Sequence, residues 1–128
     1  MLRLRKLSSL TPLLVLSALA AAMPAQAAAL NIVVAPSTLN LASNGGCVTV
    51  HAEIGYGATQ SVELSVNGQT ADVLFTFADS RGELVVRCDI ETIKQMVSVG
   101  EATFALTVHT ADGTYTGSDT IKVIDRGN

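Results

Sequence analysis

Short runs of alternating apolar and polar residues are the strongest constraint that this sequence places on its fold. Every second residue is apolar across residues 48–54, 62–66 and 104–108. This period matches a half-buried β-strand, because successive side chains of a strand point to opposite faces of its sheet. Turn-forming pairs such as Asn67-Gly68 and Asp112-Gly113 separate the runs. The pattern predicts an all-β domain.

The number and spacing of the runs predict about seven short strands in two antiparallel sheets packed face to face, as in immunoglobulin-like sandwiches. One segment departs from the period of two, because Ile90, Ile93 and Val97 recur at helical spacing. Asp89 can cap the start of such a helix, and Gly100 can end it. We therefore expect one short helix of about two turns, from Ile90 to Val97, whose apolar stripe packs on the core.

The N-terminal segment has the composition of an export signal. Three basic residues lie within the first six positions, an apolar run follows, and Ala25-Gln26-Ala27 offers small residues where a signal peptidase cleaves. The run is shorter than the roughly 20 apolar residues of a membrane-spanning helix. We expect residues 1–27 to be a cleaved signal peptide. The mature domain, residues 28–128, is then periplasmic or secreted and keeps no membrane span.

The charge of the mature domain argues against nucleic acid as a partner. Removing residues 1–27 takes away three of the eight Lys and Arg residues and none of the eleven Asp and Glu residues, which leaves a net charge of −6. Nucleic-acid binding depends on basic residues that neutralise phosphates. We therefore expect no nucleic-acid partner; the expected partner is a protein or a cell surface, on grounds given below.

The two cysteines, Cys47 and Cys88, are expected to form a disulfide, since cysteines of exported domains usually pair in an oxidising compartment. Two free thiols or part of a metal site are the alternatives. One feature conflicts with the bond: Cys47 shares the sequence parity of Thr49 and His51, which are expected to face solvent. A bulge at Gly46, or a bond at the end of the sandwich, would resolve the conflict.

Three stretches carry a resemblance to a known group of modules. They are residues 36–45 (PSTLNLASNG), 48–50 (VTV) and 112–124 (DGTYTGSDTIKVI). Together they resemble an immunoglobulin-like module of secreted bacterial and archaeal proteins. The resemblance implies that Cys47 and Cys88 stand where those modules tend to have a tryptophan and a phenylalanine, so that a covalent pair replaces an aromatic one. It also implies a structural or interaction role, because such modules are generally accessory parts of larger exported proteins.

Tyr56, Asp79 and Glu83 are the candidate ligand or partner contacts. Tyr56 lies between two glycines, where an exposed ring can stack on a sugar or a partner. The resembling modules often carry an aspartate-rich calcium loop near Asp79 and Glu83, but Arg81 stands here where an oxygen ligand is needed. The alternative function that stays open is a small extracellular ligand-binding domain, for glycan or calcium.

No catalytic pattern stands out in the sequence. His51 and His109 fall on the polar side of predicted strands, without a suitably spaced acid or a Gly-x-Ser-x-Gly motif. The glycine pair Gly45-Gly46 lacks the lysine of a phosphate-binding loop. We expect a non-enzymatic structural or interaction module with no cofactor and no metal.

Overall fold

The computed structural model describes residues 27–127. Apart from Ala27, the predicted signal peptide lies outside the described residues. No helix among the described residues is long and apolar enough to cross a membrane. Within this range the chain forms the strands β1 (Ala28–Ala29), β2 (Ile32–Ala35), β3 (Thr38–Asn40), β4 (Cys47–Gly55), β5 (Thr59–Val66), β6 (Gln69–Ala71), β7 (Phe75–Ala78), β8 (Glu83–Asp89), β9 (Gly100–Thr110) and β10 (Gly113–Ile124). Two short helical segments complete it: the 3-10 turn Tyr56–Ala58 and the helix α1 (Ile90–Lys94).

The strands form two sheets, which confirms the prediction of an all-β fold. The larger sheet has the order β1-β10-β9-β5-β6, with β3 also beside β10, and the four-stranded sheet has the order β2-β4-β8-β7. All neighbours are antiparallel except β1 and β3, which run parallel to β10. The described residues contain more strands than the seven expected, because β1, β2 and β6 are too short to show a period of two.

The core lies between the two sheets. Phe104 is the largest fully buried side chain, and Leu64 and Leu106 lie beside it on the same sheet. Val50 and Val86 fill the facing side from the four-stranded sheet. One continuous apolar cluster therefore joins both sheets, and its burial supplies the main driving force for folding.

The helix α1 closes one end of this core through buried Ile90 and Ile93. It ends at Lys94, so it is shorter than the two turns expected. The predicted cap is also wrong in detail: Asp89 makes no capping bond to the backbone and instead accepts the hydroxyl of Thr92 at 3.1 Å.

The structure does not support the predicted disulfide, because Cys47 and Cys88 are both free thiols. They lie on neighbouring strands, but Cys88 pairs with Val48 and Cys47 pairs with Asp89. Side chains alternate along a strand, so an offset of one residue places the two thiols on opposite faces of the sheet. No bulge occurs near Gly46 to change this, since the register is continuous from Cys47 to His51.

Candidate functional site

The outward face of the four-stranded sheet combines aromatic, aliphatic and cationic side chains. Leu84, Val86 and Cys88 point into the core, so Val85 and Arg87 between them point outward. The register places these two residues in rows that cross all four strands. We call this surface the aromatic face; it consists of Phe77, Val85, His51 and Val33 in one row and Phe75, Arg87, Thr49 and Ala35 in the next.

Arg87 and two phenylalanines form a cluster on the β7 side of the aromatic face. The guanidinium carbon of Arg87 lies 5.4 Å from the ring centre of Phe75 and 5.6 Å from that of Phe77. The ring centres are 5.9 Å apart. A cation over aromatic rings at these distances is attracted by their quadrupoles. The Nε atom of Arg87 is buried and has no hydrogen-bond partner among the described residues.

The aromatic face buries apolar surface outside the core and leaves more of it exposed. Val85 is only 1% exposed although it does not belong to the core cluster, so its neighbours on the outer face cover it. Phe75 and Val33 remain 49% and 59% exposed. They lie on the two edge strands of the sheet, with the polar His51 and Thr49 on the strand between. Apolar surface exposed on one face of a folded protein is a common feature of interaction sites.

The three predicted contact residues meet at one end of the same sheet. The backbone N–H of Tyr56 donates to the carbonyl oxygen of Gly82 at 2.9 Å, which joins the 3-10 turn to the turn between β7 and β8. Gly55, just before Tyr56, pairs with Glu83. The sequence therefore selected residues that the fold brings together, although nothing in their spacing indicated that they would meet.

Asp79 organises the turn between β7 and β8. Its Oδ1 atom accepts the backbone N–H groups of Glu83 at 2.9 Å and Arg81 at 2.8 Å. These two bonds, led by the one from Glu83, together with the charges of Arg81 and His51, hold the pKa of Asp79 below its usual value. Arg81 is itself paired with Glu83 at 2.6 Å. The carboxylates of Asp79 and Glu83 thus bind groups within their own turn.

A groove of about 390 Å³ lies beside this end of the sheet. It runs between the 3-10 turn, the start of β5 and the strand β7. Its polar groups come from Tyr56, Thr59, Gln60, Ser61 and Thr76. Hydroxyl and amide groups beside an exposed ring can bind a polar ligand such as a sugar.

His109 contacts an acid that the sequence did not pair with it. Its Nε2 atom lies 2.7 Å from the carboxylate of Glu63, and its Nδ1 atom lies 3.3 Å from the hydroxyl of Thr114. A hydroxyl, an imidazole and a carboxylate in series can form a catalytic triad. Here they lie on three neighbouring strands, Glu63 on β5, His109 on β9 and Thr114 on β10, and the central strand β9 uses its backbone N–H groups to pair on both sides. An oxyanion site needs such groups free.

Phe75, Phe77 and Arg87 are not among the site residues predicted from the sequence. Phe75 and Phe77 share one parity around Thr76, which was a usable signal that both rings face the same side of the sheet. Arg87 carried no comparable signal, because only the pairing of β8 with β7 places it over the rings. Within residues 27–127, no three His, Cys, Asp or Glu side chains gather in a way that could hold a metal ion.

Comparison with known proteins gives one distant structural likeness. No family model matches it, and no curated protein matches it. Among solved structures it is similar to the endo-β-1,4-mannanase from Thermotoga petrophila, with 16% sequence identity and a TM-score of 0.45. The match covers 79% of this chain and 18% of the mannanase chain. A likeness this distant bears on neither activity nor substrate.

Proposed function

We propose that this protein is a non-enzymatic interaction module of the bacterial envelope or the extracellular space, and that the aromatic face is its binding surface. The observation that carries the proposal is the exposure of Phe75 and Val33 on a face that already buries Val85. Apolar surface left in water forgoes about 25 cal/mol per Å² of burial free energy. A partner that covers the aromatic face recovers that free energy.

Export and an immunoglobulin-like fold are part of the same proposal. The basic and apolar start of the chain, with its Ala25-Gln26-Ala27 site, supports secretion. The two mainly antiparallel sheets with one shared core are compatible with the resemblance to immunoglobulin-like modules. Such modules work through their surfaces, so the residues to test are those of the aromatic face.

Site-specific photo-crosslinking in cells that express the full chain tests the proposal. Benzoylphenylalanine replaces Phe75 in one variant and Thr116, which is exposed on the opposite sheet, in the matched control. We expect a discrete crosslinked species from position 75 and none from position 116. No crosslink from position 75, or turnover of a polymer or ester by the purified domain, would contradict the proposal.

The groove beside Tyr56 favours a second candidate, a small extracellular glycan-binding domain. It rests on the exposed ring beside Gln60 and four hydroxyl groups, including that of Tyr56 itself. Calorimetry against cell-wall glycan fragments tests it, with Tyr56→Ala as the variant that removes the stacking ring. Calcium is titrated in parallel as the other ligand considered for these loops. No heat in either titration removes this candidate.

A further inference from the structure

The two edges of the four-stranded sheet differ in how they are protected. On the edge strand β2, the backbone N–H of Val34 donates to the Oδ2 atom of Asp119 at 2.9 Å. A side chain therefore caps one of the edge groups of β2. The other edge strand, β7, pairs with β8 alone. Among the described residues, no side chain hydrogen-bonds to the backbone of Phe75–Ala78 on its open side.

The residues around β7 lack the features that usually prevent an edge strand from pairing with another strand. Residues 73–78 (VLFTFA) contain no charged residue and no proline. The side chains of Leu74 and Phe75 are about half exposed. Edge strands of soluble proteins are usually protected by lysine, proline, bulges or covering loops, because open N–H and C=O groups pair readily with another strand. The open edge of β7 thus has both the unpaired backbone groups and the apolar side chains that another strand needs for pairing.

The positive charge of Arg87 indicates which side chain an added strand should carry. Arg87 is the one side chain of the aromatic face that is charged at all ordinary pH values, in a domain that carries a strong excess of acids. Its guanidinium lies over the rings of β7, on the side of β8 that leads to the open edge. The two carboxylates of β8 on this side of the sheet make other contacts, Glu83 with Arg81 and Asp89 with Thr92.

We propose that β7 binds an extended peptide segment, which joins the four-stranded sheet as a fifth strand and places a carboxylate between apolar residues against Arg87. The proposal rests on the proposed function and specifies the partner of the aromatic face. Neighbouring strands lie about 4.8 Å apart. An acidic side chain opposite Phe75 on the added strand therefore reaches the guanidinium across that ring, while the residue two positions along, opposite Phe77, covers the second ring. Main-chain bonds supply affinity, and the alternate side chains supply specificity.

Titration of the full-length mature domain with synthetic peptides tests this proposal. The probe is the capped peptide TVTETVT, and the matched probe has Gln in place of Glu. We expect NMR shift changes concentrated in Leu74–Ala78 and small in Ile32–Ala35, with the Glu peptide binding about three- to fivefold more tightly. In Arg87→Met that preference disappears. In Lys122→Met, which removes a cation from the opposite sheet, it is unchanged.

Backbone methylation of the probe separates strand addition from side-chain docking. An added strand directs alternate N–H groups toward β7. N-methylation of one alternate set of amides in TVTETVT should therefore abolish binding, while methylation of the other set leaves it intact. Equal effects of the two sets, shift changes that bypass β7, or equal affinity of the Glu and Gln peptides would overturn the proposal. The same holds if sedimentation shows that a second copy of the chain already occupies β7.

The two proposals fail in distinguishable ways. A crosslink from position 75 in cells, together with no binding of either peptide at β7, overturns strand addition and leaves the interaction module standing. Loss of the crosslink itself overturns both. Circular dichroism of Arg87→Met confirms that the variant is folded before its peptide preference is measured.

Discussion

Asp119 on β10 accepts the backbone N–H of Val34 on β2 at 2.9 Å, although the two residues belong to different sheets. The bond lies where the chain crosses from β1 on the larger sheet to β2 on the smaller one and back to β3. Because the N–H group lies on the outer edge of β2, the carboxylate both joins the sheets and protects that edge. Among the described residues, the open side of β7 has no side-chain bond of this kind.

Replacement of Asp119 by alanine should lower the free energy of unfolding by about 1–2 kcal/mol, because it leaves a partly buried N–H group without its acceptor. Asp119→Asn should cost less, since its amide oxygen can still accept. Urea denaturation measures both. Asp72→Ala, at an exposed acid, is the control and should have little effect. If Asp119→Ala and Asp72→Ala behave alike, the bond does not contribute to stability.

Gly117 should not tolerate a side chain. A Cβ atom at this position would overlap the carbonyl group of Leu30, which is backbone and cannot move without separating β1 and β10. Gly117→Ala should therefore destabilise the domain by about 2–4 kcal/mol. Gly57→Ala is the matched control, because nothing lies within 4 Å of a Cβ there. Thermal unfolding of the two variants makes the comparison, and equal melting temperatures would contradict the predicted overlap.

The two cysteines should differ in reactivity without any reductant. Cys47 is half-buried on the outer face and should react with N-ethylmaleimide in the folded protein. Cys88 is fully buried and should react only after unfolding. Mass spectrometry of protein labelled before and after denaturation counts the modified thiols. If no label is taken up even in denaturant, the thiols are bonded to each other and the observed register of β4 and β8 is wrong.

The stability of the domain should fall in alkaline solution because of Cys88. Burial raises the pKa of its thiol to about 11, above the ordinary 9.0. Below pH 9 the thiol is protonated in both the folded and the unfolded state. Between pH 9 and 11 the unfolded chain releases the proton and the folded chain does not, so the free energy of unfolding should decrease by about 2–3 kcal/mol.

Cys88→Val isolates this effect, because valine is also apolar and does not titrate. The difference in the free energy of unfolding between the wild type and Cys88→Val, measured in urea from pH 7 to 11, should be constant up to about pH 9 and then shift in favour of the variant. A difference that stays constant to pH 11 would show that the thiol does not ionise on unfolding.

The sequence predicts the positions of two hairpin turns to within one residue. Asn67 and Gly68 both have positive φ, at 50° and 83°, and they connect β5 to β6 as a two-residue turn of Asn-Gly predicts. At the last hairpin the loop is residues 111–112, and Gly113 already pairs with Thr110. The turn is thus displaced by one position from Asp112-Gly113. The hydroxyl of Thr110 stabilises this register by accepting the N–H of Asp112 and donating to the carbonyl of Gly113.

The sequence by itself determined the all-β class, most of the strands and the face on which each side chain lies, because alternation and turn chemistry act between residues a few positions apart. It even indicated that Cys47 faces outward, against the expectation of a disulfide. Tertiary structure alone decided which strands are neighbours, and with that the placement of Arg87 over Phe75 and of Asp119 on Val34. Strand pairing joins residues far apart in the chain through backbone groups that are the same at every position, so local sequence carries little information about it.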